Sequence, residues 1–178
     1  MSTTGSAPGL ERLRGVIRRY LPDLVYGAND GVITTFAVVC GVVGASLSNT
    51  VILILGFANL LADGFSMGAS NFLARRSYAD PAERDAADVA ARHGLATIVG
   101  FVTAGIVPLA AYLVPIADDY RFPATVVLAL GTLFTVGATR TFVTKVGWLR
   151  SGTEMLLVGV AAAAVAYGIG ALAAALTE

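Results

Sequence analysis

The chain has 178 residues; 56% are hydrophobic, only 13% are charged, and the mean hydropathy is +0.76. Ordinary soluble domains are roughly 25% charged, so the composition excludes both a soluble globular domain and a disordered chain. Twelve Lys and Arg balance twelve Asp and Glu, which leaves no basic field for nucleic acid, and the single Cys and single His exclude a disulfide framework or a Cys/His zinc site.

A membrane-spanning helix takes about 20 mostly apolar residues. Five segments meet that requirement: Leu24 to Leu47, Val51 to Ala74, Leu95 to Ile116, Phe122 to Val143 and Met155 to Leu176. The expected fold is therefore an all-α membrane protein of five transmembrane helices over residues 24–178, preceded by a basic arm, 1–23.

In the arm, LERLRGVIRRY (Leu10 to Tyr20) mixes apolar and basic residues at helical spacing. It suits either an interfacial helix lying on the bilayer or a plain basic flank that sets topology. The first span is too long for a cleavable signal peptide, carries Asn29 and Asp30 near its start, and runs at once into a second span. Asp30 and Thr34 are four apart and share a helix face. Gly27 and Gly31, also four apart, allow a neighbouring helix to come close. Asp30 is read either as an intramembrane site or as a headgroup-level cap that meets water. Cys40 lies in an apolar run and is expected to pack as a small hydrophobe.

The second span holds Asp63 near its middle, where a capping role fails. A charge at mid-bilayer costs roughly 2.5–3.5 kcal/mol on insertion scales. At 100° per residue, Asn59, Ser66, Met67 and Ser70 fall within about 60° of Asp63, and Asn71 within about 80°. One helix face is thus a stripe of amide, carboxylate, hydroxyl and thioether. Gly64 and Gly68 would bring a partner helix to its edge.

The connection from Arg75 to Gly94 is Ala-rich with mixed charge. Asp80 as cap, Pro81 in the first turn and Gly94 at the end suit a short helix, with His93 a solvated histidine at its terminus. The third span is almost wholly apolar. In the fourth, Thr132, Thr135 and Thr139 can bond to their own helix carbonyls, and Arg140 is placed to snorkel. Glu154 opens the fifth, where a carboxylate favours the helix N-terminus.

Basic residues fix the expected orientation. Arg12, Arg14, Arg18 and Arg19 precede the first span; Arg75, Arg76, Arg84 and Arg92 follow the second; Arg140, Lys145 and Arg150 lie between the fourth and fifth. Only Arg121 falls on the other side, beside Asp118 and Asp119. Five spans thus put the N-terminus in the cytoplasm and the C-terminus outside.

Oxygen ligands suit hard divalent cations, and a thioether tilts the preference towards first-row transition ions. A desolvated carboxylate can also carry protons. The bland alternative is a scaffold or assembly protein whose polar stripe only packs helices. An intramembrane enzyme is disfavoured, since a nucleophile needs a base within hydrogen-bond reach and neither His93 nor Cys40 has such company in sequence. No cofactor is expected.

Two stretches, DGVITTFAVVCGV in the first span and ADGFSMGASNFLARRSYAD in the second, resemble the vacuolar iron transporter family, most strongly over about residues 26 to 80. The resemblance implies a five-helix homodimer with its ion path between subunits. It would move ferrous iron, and often manganese, out of the cytosol in exchange for protons. By position, Asp30 resembles the family's pathway aspartate and Met67 its pathway methionine. The chain departs from the pattern at Asn59, where the plant proteins have glutamate. Its carboxylate comes one turn later, at Asp63, where they have glycine. Asn71 stands where many bacterial relatives have glutamate. The glutamate-rich cytosolic domain between the second and third helices is replaced by a short loop with Asp80, Glu83, Asp85 and Asp88. The expected ion pathway is Asp30, Thr34, Asn59, Asp63, Ser66, Met67, Ser70 and Asn71, in a bacterial plasma membrane.

Overall fold

The computed structural model describes residues 8–79, 85–144 and 146–177. All regular structure among them is helical: α1 (Pro8–Gly44), α2 (Asn49–Tyr78), α3 (Ala86–Gly105), a 3₁₀ turn (Val107–Leu109), α4 (Ala110–Leu113), α5 (Asp118–Thr139), α6 (Thr141–Thr144) and α7 (Trp148–Thr177). Five stretches are long and apolar enough to cross a membrane: Arg18–Gly44, Asn49–Tyr78, Ala86–Leu113, Asp118–Thr139 and Trp148–Thr177. Each overlaps one of the five segments expected from hydropathy: the second and fifth contain theirs, while the first, third and fourth start earlier and stop short, at Gly44, Leu113 and Thr139 instead of Leu47, Ile116 and Val143. Among the described residues of the basic arm, 8–23 are continuous with the first span, since α1 runs unbroken from Pro8 through Pro22 to Gly44. α2 continues past Ala74 to Tyr78, which shortens the expected loop to 79–85. The Asp80 and Pro81 cap lies outside the described residues. Gly94 ends nothing: α3 passes straight through it.

α1 is the central helix, packed against α3 and α7 and also touching α2 and α5, while α2 leans mainly on α3 and α5 on α7. Glycine makes the closest approaches. A Cβ on Gly27 would overlap the Thr97 carbonyl, and one on Gly31 the Phe101 carbonyl. The pair expected from the sequence therefore does bring a helix close, and that helix is α3. Gly68 and Gly94 do the same between α2 and α3: a Cβ on either would stand 2.7 or 2.6 Å from the other's carbonyl oxygen. Backbones this close gain dispersion contacts, a main source of helix association in lipid.

Two apolar clusters fill the bundle. Val32, Phe36 and Cys40 of α1 meet Ala129 and Leu133 of α5 and Met155 and Ala163 of α7. Val39 and Val42 meet Ile52 of α2 with Leu109, Ala111 and Tyr112. Cys40 is a packing residue, as expected. Outside, Leu61, Phe65, Val127, Leu157, Ile169 and Leu172 are exposed, an apolar coat suited to acyl chains.

The third span is interrupted because Pro108 has no N–H to continue the ladder. The Pro108 carbonyl is taken instead by the buried Thr125 hydroxyl of α5, which donates to it at 3.0 Å. Thr125→Val keeps the shape and orphans that acceptor. It is expected to cost about 1–3 kcal/mol, seen as a lower midpoint in detergent thermal unfolding; an unchanged midpoint would refute the assignment.

Candidate functional site

α1 and α2 carry the groups expected from the sequence. Asp30 is half-buried on α1 and lines a cleft of about 410 Å³ with Tyr26, Asn29, Arg140 and Met155. Asp63, Ser66 and Ser70 are all exposed on the outside of this single chain. Met67 is half-buried and borders a second cleft of about 440 Å³ with Pro22, Asp23, Tyr26, Ser70 and Asn71. Among the described residues, no three His, Cys, Asp or Glu side chains gather as a metal-holding group.

The remaining expected residues divide. Thr34 donates its hydroxyl to the Asp30 carbonyl at 2.8 Å, so it bonds its own helix. Asn59 Nδ2 is buried and has no hydrogen-bond partner among the described residues, and the same holds for Asn29 Oδ1 beside Asp30. Asn71 belongs to a different constellation. Its Nδ2 donates to Asp23 Oδ1 at 2.8 Å and to Thr97 Oγ1 at 2.7 Å, and its Oδ1 accepts from Arg75 Nε at 3.0 Å.

That constellation is a buried polar knot joining α1, α2 and α3. Asp23 Oδ1 also accepts from an Arg75 terminal nitrogen at 2.9 Å, and Asp23 Oδ2 lies 2.5 Å from His93 Nδ1. Thr97 Oγ1 donates to the His93 carbonyl at 3.1 Å. The Tyr20 ring covers His93 at 4.8 Å between centroids. Asp23 and His93 are each only 5% exposed. The reading of His93 as a solvated loop histidine is thereby overturned: it sits inside α3, facing α1. The physical reason is the glycine contact beside it. With no side chains at Gly68 and Gly94, α2 comes close enough to α3 for the short Asn71 to reach Thr97 and Asp23. Asp23 itself escaped the sequence reading because it fell among the basic flank. The available signal was its spacing of seven from Asp30, two turns down the same helix.

The ends carrying Arg19, Arg75, Arg92 and Arg140 gather at one end of the bundle, since Arg19 and Arg92 border one cleft and Arg75 binds Asp23. At the opposite end Arg121 pairs with Asp118 at 3.1 Å, and Asn49 donates to Asp118.

Comparison with known proteins adds an independent line. The profile of the VIT family matches residues 21–92 and 81–171. A vacuolar iron transporter of Toxoplasma gondii is 41% identical over 66 residues, 37% of this chain and 22% of that protein. One from Plasmodium falciparum is 40% identical over 60 residues, covering 34% and 22%. These matches thus span about a fifth of the parasite proteins. Vacuolar iron transporter 1 of Eucalyptus grandis is 23% identical over 209 aligned positions, 83% of this chain and 84% of its own length.

Proposed function

Since the chain belongs to the VIT family, we propose that it is a membrane transporter that carries divalent transition-metal ions, ferrous iron or manganese, out of the cytosol in exchange for protons. The observation that carries this reading is the polar wall along two spans: Asp30 lines one cleft and Met67 the next, the two clefts sharing Pro22 and Tyr26, with Asp63 one turn from Met67 on α2. Two acidic oxygens offer charge to a dication, and the thioether supplies the softness that favours iron or manganese over magnesium or calcium. Asn59, Ser66 and Ser70 extend the same stripe. Asn71 borders the Met67 cleft as well, with its amide engaged in the knot around Asp23.

The stripe also argues for a homodimer. Asp63, Ser66 and Ser70 are exposed on a membrane span, and a lipid-facing carboxylate costs several kcal/mol. A second copy meeting this face would turn it into a wet seam with twice the carboxylates. The excess of Arg at one end supports a cytosolic reading of that end, and we propose a bacterial plasma membrane as the host.

The test is flux into proteoliposomes. Fe²⁺ and Mn²⁺ are expected to move and Mg²⁺ and Ca²⁺ to lag by about tenfold or more, the factor that about 1.4 kcal/mol of ligand preference gives. Absence of metal-dependent flux would leave only the scaffold reading.

A further inference from the structure

At the arginine-rich end, α1 and α3 form a wedge. Deeper in the bundle glycine holds them together: a Cβ on Gly27 would overlap the Thr97 carbonyl, and one on Gly100 the Leu24 carbonyl. Between those contacts and the helix ends lies a cleft of about 400 Å³, lined by Val16, Arg19 and Leu24 of α1 and by Arg92, Leu95 and Val99 of α3. Its floor is apolar, with Leu95 59% and Val99 44% exposed. Its rim carries two guanidinium groups. The Tyr20 and His93 rings stand 4.8 Å apart, and Arg19 and Arg92 each precede one of them in sequence, so the two arginines share one level. Arg19 lies over the Tyr20 ring at 5.9 Å. Both arginines are exposed, and neither makes an ion pair among the described residues, even with Asp88 one turn before Arg92.

We propose that this cleft binds one anionic glycerophospholipid, its phosphate between Arg19 and Arg92 and an acyl chain along Leu24, Leu95 and Val99. The site does not depend on metal transport. Guanidinium forks match phosphate oxygens, and basic pockets between spans attract anionic headgroups. The first span starts at Arg18, which sets Arg19 at headgroup depth. Val99, seven residues past Arg92, lies about 10 Å deeper along α3, at the level of the acyl chains. An acidic peptide would meet the rim but not the floor, and a neutral lipid would meet the floor without using the charge. Gly94 and Ile98 of α3 meet Gly68 of α2, so Arg92, Leu95 and Val99 turn away from the polar stripe of α2. A second copy on that stripe leaves the cleft open to lipid. A ligand that bridges α1 and α3 here binds only the folded chain and so stabilises it.

The probes are phosphatidylglycerol and phosphatidylcholine of matched acyl chains, added to the purified full chain in a neutral detergent at fixed ionic strength. Native mass spectrometry is expected to show phosphatidylglycerol adducts favoured by about tenfold or more, the combined attraction of two basic residues for an anionic headgroup. The thermal midpoint is expected to rise with that lipid and not with phosphatidylcholine. Arg19→Gln/Arg92→Gln is expected to bring the two lipids within about twofold of one another. Arg18→Gln/Arg76→Gln removes the same charge from the same end outside the cleft, and is expected to keep the preference. Equal loss in both double variants would reduce the preference to diffuse surface charge and overturn the site, as would no preference in the wild-type chain. Inorganic phosphate at the same concentration is expected to leave the midpoint unchanged; a matching rise would reveal a bare anion site and overturn the lipid. Should Arg19→Gln/Arg92→Gln not fold, the wild-type chain decides. Phosphatidylglycerol with a photoreactive acyl chain should cross-link within residues 16–24 and 92–99, and cross-links only elsewhere overturn the site. None of these readouts uses metal flux, so failure here leaves the transporter reading standing.

Discussion

Replacing Asp63 by Ala is expected to reduce metal flux by about a hundredfold or more. Loss of groups that merely orient ligands already costs 10–100-fold in affinity, and Asp63 supplies one of two carboxylates in the proposed path. The amide variant separates the competing readings. Asp63→Asn keeps size and hydrogen-bonding capacity and removes only charge. A stripe that seals a helix interface would tolerate it, whereas a path that stabilises a dication by charge would not. Asp63→Asn is therefore expected to match Asp63→Ala in flux. Near-normal flux in Asp63→Asn would count for the scaffold.

Stability should move the other way, which guards against misfolding as the explanation. Asp63 is exposed on the isolated chain and makes no ion pair among the described residues that its loss would break. Removing an intramembrane carboxylate relieves an insertion cost of roughly 2.5–3.5 kcal/mol. Thermal midpoints of both variants should equal or exceed the wild-type value. A variant that loses flux and also unfolds would indicate that Asp63 holds the assembly together rather than the ion.

The parts of this architecture that depend on one helix at a time were legible in the sequence. Hydropathy gave five spans, and the 100° arithmetic placed Asn59, Asp63, Ser66, Met67 and Ser70 on one side of α2. What escaped was set by contacts between helices. Asp23 and His93 are 70 residues apart, and no periodicity links them. Gly68 and Gly94 were each visible, but only their mutual contact explains why His93 is buried rather than solvated. The same contacts moved the boundaries: α1 begins before residue 24 because Tyr20 and Asp23 pack inward, and α2 outlasts Ala74 because Arg75 reaches back to Asp23. Asn71 lay at the margin of the stripe by angle, and its place was decided by the partner on α1.

Gly31→Ala is expected to be among the most damaging small substitutions in the molecule. Its added Cβ would overlap the Phe101 carbonyl and stand within about 3 Å of the Phe101 Cα. Backbone cannot swing aside like the end of a flexible side chain, so α1 and α3 must separate along the face where Gly27 and Gly100 make their closest contacts and where a Cβ on Gly105 would stand 2.8 Å from the Gly31 carbonyl oxygen. Overpacking of this kind costs about 1–3 kcal/mol, and Gly31→Val, with a branched side chain, should yield little folded protein. Gly131 of α5 and Gly168 of α7 have nothing within 4 Å of an added Cβ. Gly131→Ala and Gly168→Ala should instead gain about 0.5–1 kcal/mol each from helix propensity. Detergent melting of the three alanine variants therefore splits in sign. Gly31→Ala should also lose flux, because Asp30 precedes Gly31 and any shift of α1 moves that carboxylate within its cleft. If Gly31→Ala melts with Gly131→Ala, the close approach of α1 and α3 is wrong, and with it the frame that positions Asp30.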